Sequence, residues 1–72
     1  MKLKDFEKLD YQSQLETIRE LLIDNGVDEA IVDCLQTVNG CEQGLIDAYA
    51  YTVSGNYNYL LTDVFVELCP DY

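Results

Sequence analysis

The chain has 72 residues, with 14 acids against 4 bases, no histidine, 49% hydrophobic residues and a formal charge of −10. That describes one small domain with too many apolar side chains for disorder, and a core modest enough that a homodimer could complete it. A field of this sign argues against direct binding of nucleic acid or anionic membrane and favours basic protein surfaces.

The distribution sharpens the total. Lys2, Lys4, Lys8 and Arg19 are all the bases there are, and from Glu20 to Tyr72 ten acids stand with none. Three cysteines, Cys34, Cys41 and Cys69, form no CxxC pair. Without histidine they suit neither a zinc site nor a disulfide framework. No signal-peptide pattern opens the chain, and no apolar run approaches the ~20 residues needed to span a bilayer. The expected setting is cytoplasmic, with free thiols acting as small core hydrophobes and Cys69 as the most exposed of them.

Residues 1–10 read as a short helical or irregular lead-in anchored by Phe6 and Leu9, with Asp10 as the cap of the helix after it. That first full helix is predicted over residues 11–24, where Tyr11, Leu15, Ile18, Leu21 and Leu22 recur at three-four spacing. Asn25-Gly26 ends it, Val27 supplies an apolar contact beyond the turn, and Asp28 caps the next helix. The second helix covers residues 28–38 and carries Ile31, Val32, Cys34, Leu35 and Val38.

Fourteen residues after "NGVDEAIVD" (Asn25 to Asp33), "NGCEQGLID" (Asn39 to Asp47) matches it in kind at every position. Asn39-Gly40 should therefore stop the second helix as Asn25-Gly26 stops the first, with Cys41 in the place of Val27. A third helix then covers 42–53, Ser54-Gly55-Asn56 breaks it, and a fourth covers 57–68 until Pro70 forbids more. The fold class is mainly α, a small bundle of four short helices joined by tight Asn-Gly and Ser-Gly turns. An α+β arrangement competes with it. Tyr49, Tyr51 and Val53 alternate, as do Tyr57, Tyr59 and Leu61, so residues 48–66 could form a hairpin.

The stretch "IRELLIDNGVDEAIVDCLQTVNGCEQGLIDAYAY", residues 18–51, resembles in part a ubiquitin-associated (UBA) domain. Asn25-Gly26-Val27 stands where that family has its Met-Gly-aromatic loop, and Gly40-Cys41-Glu42 at its second turn. The resemblance implies compact three-helix packing. Without the loop's Met and aromatic it does not carry ubiquitin binding.

Enzymatic chemistry is not expected. The commonest general base and partner of a nucleophile is missing, and no catalytic residue, cofactor or metal site is assigned. A calcium loop read from Asp24 puts Gly26 at the third position and Asp28 at the fifth, so its register fails. The acids on helix faces say more. Glu16, Glu20 and Asp24 form one column, and Glu29 with Asp33 another pair. Like charges at that spacing sit ~5–6 Å apart and cost a helix ~0.2–0.5 kcal/mol each. Such rows occur on merely solvated faces, but they also imitate a phosphate backbone. The expected function is thus an acidic inhibitor or decoy, of the kind small phage-encoded anti-defence proteins exemplify. It would occupy the basic groove of a nucleic-acid-binding protein or complex. The candidate partner-binding residues are Glu16, Glu20, Asp24, Asp28, Glu29 and Asp33, flanked by outward-facing Tyr51 and Tyr59. The alternative is a helical protein–protein adaptor, UBA-like in shape, binding through apolar residues near Val27 and the third helix.

Overall fold

The computed structural model describes residues 1–51 and 59–69. Among these the chain forms five helices and no strand: α1 (Leu3–Lys8), α2 (Tyr11–Asp24), α3 (Glu29–Asn39), α4 (Cys41–Tyr49) and α5 (Leu61–Leu68). The mainly α bundle expected from the periodicity is present, with the lead-in as a helix of its own.

Side-chain caps set the first two long helices. The Asp10 carboxylate accepts from the Ser13 N–H at 2.9 Å and starts α2, and the hydrogen bonding to Ser13 holds its carboxyl below the usual aspartate range. Asp28 does the same for α3 through the Ala30 N–H at 2.9 Å. Between them, Gly26 takes a φ of +94°, which L side chains resist. Val27 behind it is only 6% exposed and joins the core, as the turn chemistry predicts.

The second Asn-Gly does not repeat this arrangement. Gly40, at φ +101°, is both the last corner of α3 and the cap position of α4, so no loop intervenes. Cys41 is exposed and does not play the part of Val27. The tight corner folds α4 back along α3, and Gly44 faces the α3 backbone directly. A Cβ there would overlap both the backbone N and the Cα of Gln36. Only a residue with no side chain permits that approach.

The core lies between α2, α4 and α5, with Ile18, Leu22, Leu45, Val64 and Phe65 fully buried. The lead-in closes it from the other end. Phe6 is fully buried and stacks on Phe65 with ring centroids 4.4 Å apart. Aromatic stacking of this kind adds ~0.5–1.5 kcal/mol to the area both rings bury.

Several expected boundaries move. The third predicted helix, 42–53, stays regular only to Tyr49 and widens into a π turn at Ala50–Tyr51. The fourth, 57–68, begins instead at Leu61, because Leu60 is extended and its N–H donates to the Asp63 carboxylate at 3.0 Å. The hairpin alternative fails wherever it can be compared, since residues 48–49 and 61–66 are helical. The Ser54-Gly55-Asn56 break falls outside the described residues. The cysteines reverse their expected order: Cys34 and Cys41 are exposed, while Cys69 is half-buried with its thiol donating to the Met1 carbonyl at 3.4 Å.

Glycine substitutions test the helix corner. Ala favours a helix interior over Gly by ~1 kcal/mol, so Gly44→Ala should stabilise if propensity governs. Forced apposition should instead destabilise it by about 2 kcal/mol or more in urea unfolding. Gly26→Ala meets open space and should cost only about 1 kcal/mol, from its backbone conformation.

Candidate acidic interface

The acids predicted as one electrostatic face divide into three groups. Glu16, Glu20 and Asp24 lie one turn apart on α2 and are exposed, and among the described residues they form no hydrogen bond or ion pair. Asp28 is occupied as the cap of α3. Glu29 and Asp33 are both taken by Arg19. Its Nη2 donates to Glu29 Oε1 at 3.1 Å and to Asp33 Oδ1, crossing from α2 to α3.

The sequence places Arg19 beside Glu16 and Glu20, where a base would interrupt their column. Its guanidinium turns the other way. The two carboxylates it holds raise its pKa further, so it is cationic at any ordinary pH. Glu29 and Asp33 would otherwise repel each other along α3, and one cation resolves both. They therefore serve the α2–α3 junction, and the expectation of an uncompensated acidic row on α3 is corrected. The α2 column keeps its full charge.

Its magnitude sets what it can imitate. Carboxylates four residues apart on a helix stand one per ~6 Å of axis, against one phosphate per ~3.4 Å for a single DNA strand. The column alone thus has roughly half the linear charge density of one strand, so apolar contacts must supplement it if it is to displace nucleic acid.

The tyrosines separate as well. Tyr51 is 71% exposed, as expected of a contact residue. Tyr59 is half-buried and packs edge-on against the buried Tyr49 with centroids 5.2 Å apart, so it is not the outward-facing side chain expected from the sequence. The helical register that points Tyr59 outward does not apply, because α5 starts two residues after it. Val27 is likewise buried.

One residue that sequence reasoning passes over joins a second feature. Asp47 is half-buried at the α3–α4 corner, where its carboxylate accepts from Asn39 Nδ2 at 2.7 Å and Gln43 Nε2 at 2.8 Å. The available signal is the repeat itself, in which Asp47 matches Asp33. The two have different partners, Arg19 for Asp33 and the two amides for Asp47. Asp47 lines an open groove of about 520 Å³ with Ile31, Cys34, Leu35, Asn39 and Tyr51. None of the α2 column lines it. A smaller depression of about 370 Å³ lies between α2 and the α3–α4 corner, and Glu16 and Arg19 border it.

No protein-family model, curated protein or solved structure matches this chain.

Replacing Arg19 tests the division of charge. Arg19→Gln should lower the thermal midpoint at low ionic strength, because Glu29 and Asp33 are then left to repel. High salt should erase most of the difference by screening those exposed charges.

Proposed function

We propose that this chain is a non-catalytic acidic binding domain that occupies a basic groove on a nucleic-acid-handling protein. Glu16, Glu20 and Asp24 on α2 would take the place of phosphates there. The observation that carries the reading is the contrast between two acid rows on neighbouring helices. One is compensated by Arg19, and the other stays exposed without a counter-charge although Arg19 is adjacent to it in sequence. Stability alone favours compensating both.

Lys and Arg rows that neutralise phosphates release the counterions condensed on the nucleic acid, which makes that binding strongly salt-dependent. A carboxylate column that takes the place of phosphates is salt-dependent in the same direction, through screening of its charges. Asp28, Glu29 and Asp33 contribute to the long-range field and to steering, but their short-range bonds are already made.

The test is a capture experiment with the intact chain as bait in bacterial lysate. Proteins with basic nucleic-acid grooves should be retained at low salt, be released as salt rises, and be displaced by added duplex DNA. A Glu16→Gln, Glu20→Gln, Asp24→Asn variant should lose them. Retention that ignores salt and DNA, or survives the triple substitution, would sink the reading.

A further inference from the structure

The α2 column leaves the groove between α3 and α4 unexplained. The α3 helix has more apolar positions than one buried face can use. Of Ile31, Val32, Cys34, Leu35 and Val38, only Val32 is fully buried. Ile31 is 37% exposed, Val38 73% exposed, and Cys34 is exposed with them. Their three-four spacing makes an apolar ridge along the outer side of α3, roughly opposite the side that holds Arg19. The groove beside this ridge is lined also by Leu35, Asn39, Asp47 and Tyr51.

We infer that this groove is a docking site for a basic amphipathic helix of a protein partner. Its apolar stripe would lie along Ile31, Leu35 and Tyr51, with a Lys or Arg from its flank meeting the Asp47 carboxylate. Charge selects this occupant over a second copy of the chain. Asp47 lines the groove, no base does, and each copy carries −10, so a second copy is repelled where a basic helix is drawn in. Apolar side chains beside one carboxylate suit the anchor residues of a helix laid in a groove. Asp47 is already oriented by Asn39 and Gln43, so it presents its charge without first being ordered. Docking here goes beyond charge mimicry. It requires neither the α2 column nor a nucleic-acid-handling partner.

The probe is a synthetic peptide about four helical turns long, with leucines at helical spacing and lysines elsewhere. Its control has the same composition in an order that forms no apolar face. By fluorescence anisotropy the amphipathic peptide should bind at least about tenfold more tightly than the shuffled one, the scale expected of buried apolar anchors. In a Cys41→Ser, Cys69→Ser background it should also slow alkylation of Cys34, which the shuffled peptide should not. Ile31→Glu should remove the preference, and Asp47→Asn should weaken the amphipathic peptide several-fold. The triple α2 variant should weaken both peptides alike and leave the preference intact, which separates this site from the acidic column. Equal binding of the two peptides, unprotected Cys34, or a dimer that Ile31→Glu dissolves would each overturn the proposal. If Ile31→Glu unfolds the chain, Cys34 protection in the Ile31-intact protein still decides it.

Discussion

The backbone of α4 meets the backbone of α3 at Gly44, and most of the functional geometry depends on that contact. Gly44 comes within a distance of Gln36 that no Cβ could occupy. Gly40 makes it possible by turning the chain in one residue, at a φ that favours glycine. With the two helices in register, Asn39 and Gln43 reach Asp47 from either side of the corner. Tyr51 and Ile31 come to line one groove. A bulkier residue at position 44 would pry the two walls of that groove apart, so core packing and candidate binding surface share one constraint.

A second constraint is electrostatic. A domain of this size, with a charge of −10 and four bases, cannot compensate every pair of like charges. Its single arginine is committed to the α2–α3 junction, where a planar guanidinium can serve two carboxylates at once. The lysines all lie in the first eight residues, within or beside the short α1. Among the exposed acids left without a counter-charge is the column on α2. Such an arrangement weakens the fold slightly and strengthens the field it presents to a basic partner.

Much of the fold is legible in the residues. Asp10 and Asp28 stand at cap positions, Gly26 with Val27 makes a helix stop with its apolar contact, and Phe6 anchors the lead-in; each cap and stop acts locally, within a turn or two of its own position. Sequence and structure part where distant residues decide. The two Asn-Gly repeats look equivalent until α4 must pack on α3, and that packing converts the second into a one-residue corner. The helical stripe across Tyr57 to Leu68 is continuous in sequence, yet Asp63 bonds back to the Leu60 N–H and starts α5 late, leaving Tyr59 to pack on Tyr49. For Arg19 the sequence shows only the neighbourhood along its own helix, whereas its partners are ten and fourteen residues away. The groove is hidden for a similar reason. Ile31, Cys34 and Val38 fit a core-facing stripe, and only the assembled bundle shows which apolar positions the core has no room to use.

If the charge available to a basic partner resides on α2, Arg19 must have withdrawn the acids of α3 from it. A nuclear magnetic resonance titration of the isotopically labelled chain with a short oligolysine peptide at low salt measures this most directly. Side-chain and amide signals of Glu16, Glu20 and Asp24 should shift together, while those of Glu29 and Asp33 stay close to their starting positions. Shifts as large at Glu29 and Asp33 as on α2 would contradict this division of charge, because the ion pairs to Arg19 would then not hold those carboxylates.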